Sequence, residues 1–208
     1  MRRPLLVLLA AVLASPVAAA PTPPRPAPPR PATVRVRMDT NLGPIVIDLD
    51  VRHAPITATN FLTYVDEHRF DGTSFYRAAP GKTDPHRGFV QGGIDVDVTR
   101  ARFPIAHEPT TLTGIHHTDG TISMAREQPG TAAGNFTIMV GDQLFMDARP
   151  GFPGYAAFGQ VVSGMTTVRA MLALPTYPGG RSAAMLNQTL RRPVRIVHVY
   201  RVTPTPPR

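Results

Sequence analysis

Residues 33–50 read TVRVRMDTNLGPIVIDLD, and their period decides the fold class. Val34, Val36 and Met38 alternate with Arg35 and Arg37, and after Asn41-Leu42-Gly43 the residues Ile45, Ile47 and Leu49 stand against Asp48 and Asp50. A period of two sends the two sets to opposite faces of a pleated strand, so this stretch predicts two half-buried strands joined by a turn. Next, Pro55 suits a first helical turn, and Ala58, Phe61, Leu62 and Val65 recur at helical spacing. Short runs bounded by glycine turns follow at 73–77, 88–92, 121–125, 135–140 and 156–162. A second helical stretch carries Met165, Val168 and Leu172, and a last strand covers 194–202. Many short strands with two helices predict a mainly β domain, a barrel or sandwich closed at its ends by helices. The loops 79–88, 94–118 and 141–155 are where binding is expected.

Composition sets the boundaries around that domain. The chain has 208 residues, 24 prolines, no cysteine and a formal charge of +8. Half of the prolines and five basic side chains fall in residues 1–31 and 204–208, which hold no acid, leaving 17 basic against 14 acidic groups in residues 32–203. That domain shows no basic patch interleaved with aromatics, so no nucleic-acid partner is expected. Without cysteine there is no disulfide framework, thiolate nucleophile or cysteine metal site. Residues 1–19 carry Arg2 and Arg3, an apolar run over 5–14 and the small pair Val17 and Ala19, which predicts a signal peptide cleaved after Ala19. The run is short of the roughly 20 residues a spanning helix needs, so the expectation is export to the periplasm with no stable membrane anchor. Residues 20–32 form a proline-rich linker expected to be extended, 33–203 the single domain, and 204–208 a proline-rich tail.

Several constellations carry little chemistry. His107, His116 and His117 beside Glu108 fit no helical zinc spacing and read as exposed loop histidines. Asp95 and Asp97 read as solvated acids sharing a strand face, with no third ligand. No serine stands in a Gly-x-Ser-x-Gly elbow, so a serine triad has no support.

Seven short motifs in fixed order do stand out: PITATNFLTYV at 55–65, FDGTSFYR at 70–77, FVQGG at 89–93, GTISMAR at 120–126, NFTI at 135–138, FMD at 145–147 and YAAFGQVVSG at 155–164. Together they resemble the cyclophilin-type peptidyl-prolyl isomerases, in a bacterial, exported form. The resemblance implies a closed eight-stranded antiparallel barrel capped by two α-helices, acting on proline-containing polypeptides as a monomer without cofactor or metal. It places the catalytic arginine on Arg77 and its glutamine on Gln91, with Phe75 and Phe89 beside them in the substrate pocket. Ala125 and Arg126 fall where the family's Met-Ala-Asn segment binds substrate backbone. Asn135 and Thr137 fall on the pocket strand, Phe145 and Met146 on the wall, and Tyr155 on the following aromatic position.

A cation aimed at the prolyl nitrogen favours its pyramidal form and so the twisted amide, whose barrier is ~18–20 kcal/mol. An arginine keeps that charge and its direction better than a lysine. Three departures bear on the pocket: Thr137 replaces a phenylalanine at its floor, Gly88 stands where a phenylalanine is frequent, and Arg126 replaces an asparagine. A wider, less aromatic pocket follows, with weak binding of cyclosporin-type inhibitors. Because strand side chains alternate, Phe136 is not a substitute for the missing ring without a register shift. A non-catalytic proline-segment chaperone and an envelope interaction module on the same fold stay open as alternatives.

Overall fold

The alternation at 33–50 becomes a hairpin in the computed structural model, which describes residues 32–180 and 182–202. Strands β1 (Thr33–Thr40) and β2 (Gly43–Asp50) pair antiparallel, and Val36, Met38, Ile45, Ile47 and Leu49 are fully buried. Six further strands follow: β3 (Ser74–Pro80), β4 (Gly88–Gly93), β5 (Thr121–Met124), β6 (Asn135–Val140), β7 (Ala157–Ser163) and β8 (Thr189–Arg201). They close an antiparallel barrel in the order β1-β2-β7-β5-β6-β4-β3-β8. Closure removes every free sheet edge. The signal-peptide and proline-rich readings lie outside the described residues, apart from Ala32.

Helix α1 (Pro55–Asp66) starts on the proline and packs on β2, β7 and β8. Phe61 meets Phe70, Phe136 and Phe158 at 4.8, 5.4 and 5.4 Å between ring centres. The helix's unpaired N-terminal donors are met by Glu108, whose carboxylate accepts from Ile56 N (3.1 Å), Thr57 N (2.7 Å) and Thr57 Oγ1 (2.6 Å). Glu108 is therefore a buried cap rather than part of a histidine cluster. A single turn, α2 (Thr110–Thr113), precedes β5, and α3 (Met165–Leu172) buries Val168, Met171 and Leu172 against the barrel.

Two local differences from the periodicity have clear causes. β8 begins at Thr189, five residues before the expected 194, and contains Pro193. Its pairing with β3 shifts register between Phe75↔Val194 and Arg77↔Thr189, so the proline occupies an irregular stretch that needs no ladder donor. Asp95 and Asp97 share no strand face: Asp95 has a positive φ of 52°, and Asp97 caps a 3-10 turn by accepting from Thr99 N at 3.0 Å.

Candidate active site

The pairing of β3 with β4 holds one extra residue. Phe75 opposes Gly92 and Arg77 opposes Gln91, which leaves Tyr76 as a bulge. Without it, Phe75 and Arg77 would share a face; with it the alternation flips between them. Phe75 is fully buried, its ring 5.6 Å from Phe136 and close enough to Gly92 that a Cβ there would lie 2.9 Å from it. Phe75 is therefore a core residue, and its expected place in the substrate pocket is corrected by the bulge. Phe136 likewise points inward, fully buried.

Arg77 now heads an outward row across four strands: Arg77↔Gln91 from β3 to β4, Gln91↔Thr137 from β4 to β6, and Ser123↔Thr137 from β5 to β6. At about 4.8 Å per strand the row spans ~14 Å. Arg77 Nε donates to Gln188 Oε1 (2.8 Å), Nη1 to Gln91 Oε1 (2.8 Å) and Nη2 to the Ala184 carbonyl (2.5 Å). Gln91 Nε2 donates in turn to Tyr76 Oη at 2.8 Å. The guanidinium carbon lies 5.0 Å over the Phe89 ring, a cation–π contact. Burial pushes the Arg77 pKa down, with Tyr76 and Tyr155 acting the other way, and a guanidinium stays charged throughout. The fork is thus half-buried and held in one direction. Gln188 and Ala184 escape the sequence reading because they reach Arg77 from a turn more than a hundred residues away, with no local pattern to mark them.

The expected wall falls in residues 144–155. Met146 is buried, whereas Phe145 is 62% exposed, and Tyr155 N donates to the Met146 carbonyl at 3.0 Å. Arg126 folds back: its guanidinium lies 4.8 Å over the Tyr155 ring and donates to the Gly154 and Glu127 carbonyls. Its Nε is buried without a partner. Ala125 N donates to the Asn135 carbonyl, while the Asn135 amide is spent on Asp95, accepting from its N–H at 2.8 Å and donating to its carbonyl at 3.0 Å. Asn135 thereby anchors a loop. Gly88, at φ 144°, has room for no side chain: a Cβ would lie 2.1 Å from the Ala79 carbonyl oxygen. The missing phenylalanine there is a backbone requirement of the β3–β4 connection.

At its far end the row runs under a buried network. Thr137 Oγ1 donates to the Ser123 carbonyl at 3.3 Å, so the floor position is a hydrogen-bonded threonine. Ser123 Oγ lies 2.9 Å from His117 Nε2, and His117 Nδ1 lies 2.6 Å from Asp147 Oδ1, with His116 Nδ1 2.7 Å from Asp147 Oδ2. His117 is fully buried and His107 half-buried, which corrects the expectation of exposed loop histidines; His116 alone of the three is exposed. Burial lowers the His117 pKa against the opposing pull of Asp147, which favours the neutral ring. Burial works against the charge of Asp147, but hydrogen bonds from His117 and His116 outweigh it and hold its carboxyl below the usual range. A charged Asp147 only accepts, so Nδ1 of His117 carries the proton and Nε2 accepts from Ser123. These residues stand in the order of a serine triad, yet Ser123 is fully buried and reaches no substrate. The network fastens the wall segment at Asp147 to the floor at Ser123.

None of the row's residues lines the groove of about 930 Å³ between α1 and residues 101–105, so the row is distinct from that cavity. A closed eight-stranded barrel with an outward Arg–Gln pair beside Phe89 defines the class, and comparison with known proteins gives the family. The profile of the cyclophilin type peptidyl-prolyl cis-trans isomerase family matches residues 35–201. A peptidyl-prolyl cis-trans isomerase of Acinetobacter baylyi is 37% identical over 165 residues, 79% of this chain and 83% of that protein. Peptidyl-prolyl cis-trans isomerase A of Dickeya dadantii is 36% identical over 137 residues, 64% of this chain and 68% of that protein. A crystal structure of a Cryptosporidium parvum cyclophilin type isomerase shares the fold, with a TM-score of 0.62 at 17% identity over 83% of this chain and 99% of that one. The chain belongs to the cyclophilin-type peptidyl-prolyl cis-trans isomerases and is an enzyme of that type.

Proposed function

We propose that this enzyme accelerates rotation about Xaa-Pro bonds in polypeptides folding after export, as a monomer, with Arg77 as the catalytic donor. The observation that carries this reading is the pinned fork. A guanidinium has five N–H donors, and the bonds to Gln188, Gln91 and Ala184 use three. The remaining N–H groups are held in a fixed direction on a half-buried side chain. Pointed at the prolyl nitrogen, they stabilise the pyramidal nitrogen of the twisted amide more than the planar ground state, the difference that lowers a barrier. Each tenfold acceleration needs about 1.4 kcal/mol of that preference.

Phe89, Met146, Phe145 and Tyr155 then shelter the proline ring, and Ala125, Arg126 and Thr137 border the substrate backbone. No bond is made to the enzyme and no proton moves. Export is supported by the basic start, apolar run and small-residue pair of residues 1–19. N-terminal sequencing of the protein from a periplasmic fraction checks it: a mature chain starting at Ala20 is expected, and an intact Met1 in the cytoplasm contradicts it.

Exchange NMR on a short Ala-Pro peptide tests the catalytic reading. Wild type should speed cis–trans exchange, and Arg77→Ala should lose about 10²–10³ of that acceleration. No acceleration by wild type, or equal acceleration by both proteins, overturns it.

A further inference from the structure

Away from the Arg77 row, His68, Asp71 and His198 converge on one point. His68 lies just beyond α1 with a positive φ of 54°, Asp71 in the turn leading to β3, and His198 in β8. Asp71 Oδ1 accepts from the Val199 backbone N–H at 3.0 Å, which aims Oδ2 at both imidazoles. His198 Nδ1 lies 2.6 Å and His68 Nδ1 3.2 Å from that one oxygen. The two rings stack at 13° with centres 5.4 Å apart, and His198 stacks in turn on Tyr200 at 5.2 Å. One ligand atom from each of the three residues lies within 4.8 Å of the other two. The two histidine side chains are 65% and 42% exposed, so an ion reaches them from solvent.

This geometry differs from the other histidine–aspartate contacts of the molecule. At Asp147 the two histidines take different oxygens, and His117 is closed in by Ser123. At Asp50 there is one histidine, His53, at 2.8 Å. Only around Asp71, among the described residues, do two imidazole nitrogens and a carboxylate oxygen face one shared point.

We propose that His68, Asp71 and His198 form a binding site for a borderline divalent transition cation of the zinc type. Nδ1 of each histidine and Oδ2 of Asp71 are its ligands, and water fills the open positions. Metal–ligand distances of about 2.0–2.2 Å require both Nδ1 atoms to draw in around the ion, a small shift for exposed side chains. The ion replaces the two hydrogen bonds to Oδ2, and each imidazole carries its proton on Nε2. Two nitrogen donors with one carboxylate favour zinc, cobalt, nickel or copper over magnesium or calcium, which take oxygen ligands. Such an ion clamps the end of α1 to β8, so it should stabilise the barrel without altering turnover at Arg77.

The test is titration of untagged full-length protein with zinc chloride by calorimetry, alongside thermal unfolding. One equivalent should bind and raise the unfolding midpoint, and magnesium or calcium at the same concentration should do neither. His68→Asn, chosen because asparagine tolerates the left-handed backbone, and His198→Ala should each weaken zinc binding at least about tenfold. His53→Ala should bind as wild type does. No zinc binding by wild type below millimolar concentration, or undiminished binding by both His68→Asn and His198→Ala, overturns the proposal. The unfolding midpoints of the variants without metal separate lost ligation from lost folding.

Discussion

Two neighbouring rows cross β3, β4, β6 and β5, and they are held by different forces. The inward row is Phe75, Gly92, Phe136 and Met124. Phe136 meets Phe61, Phe70 and Phe75 edge-on at 5.4, 5.5 and 5.6 Å, and the absent side chain of Gly92 makes room for the Phe75 ring. Shape and apolar area hold it. The outward row, Arg77, Gln91, Thr137 and Ser123, is held by directed hydrogen bonds, from the Arg77 fork at one end to the His117–Asp147 network at the other. One bulged residue, Tyr76, separates the two regimes on β3. Apolar packing therefore dominates one face of these strands and directed hydrogen bonds the other, and substitutions can address the two separately.

The largest effect is expected on the inward row. Phe136→Ala removes a ring packed by three others and should cost about 3–5 kcal/mol, read from the shift of the urea midpoint. On the outward row, His117→Ala leaves the Asp147 carboxylate and the Ser123 hydroxyl without their buried partner. About 2 kcal/mol of lost stability is expected, with a fall in turnover because the Phe145-Met146 wall loses its tie to the floor.

The same network gives the outward row a pH dependence. His117 has a folded-state pKa below its unfolded value, so below about pH 6.5 the unfolded chain takes up a proton that the native ring refuses. Its contribution is fully present above that pH and is lost as pH falls toward the folded value. Asp147, also lowered, adds a second loss only below about pH 4. Urea midpoints at pH 7.5 and 5.5 should show wild type losing more stability on acidification than His117→Asn; equal losses contradict the assignment. Smallest of all, Gln188→Ala should lower turnover severalfold, up to about tenfold, and stability by ~1 kcal/mol or less, since it frees one arm of a fork still held by Gln91 and Ala184.

The first hairpin can be read from period alone, as at Val34 to Leu49, and the middle strands from short runs between glycine turns. The strand order could not: β2 pairs with β7 and β4 with β6, contacts between distant segments that leave no local mark. Motif order placed Arg77 and Gln91 on adjacent strands, where the structure joins them at 2.8 Å. Phe75 reads as a pocket residue because a bulge adds one residue without changing the appearance of the run SFYR. Gln188 and Ala184 were missed because a polar turn shows nothing of what it reaches. His117 looks like an exposed loop residue in the sequence because its burial depends on Asp147 and Ser123 folding around it.

The central claim is that a fixed, forked cation on the outward face does the chemistry while the inward face keeps the fold. Arg77→Lys tests it most directly, measured by exchange NMR on an Ala-Pro peptide and by urea unfolding of the same sample. Lysine keeps the charge and loses the fork, so turnover should fall by roughly a hundredfold while stability stays within about 1 kcal/mol of wild type. Turnover within a factor of about two of wild type would show that the pinned geometry is not what lowers the barrier.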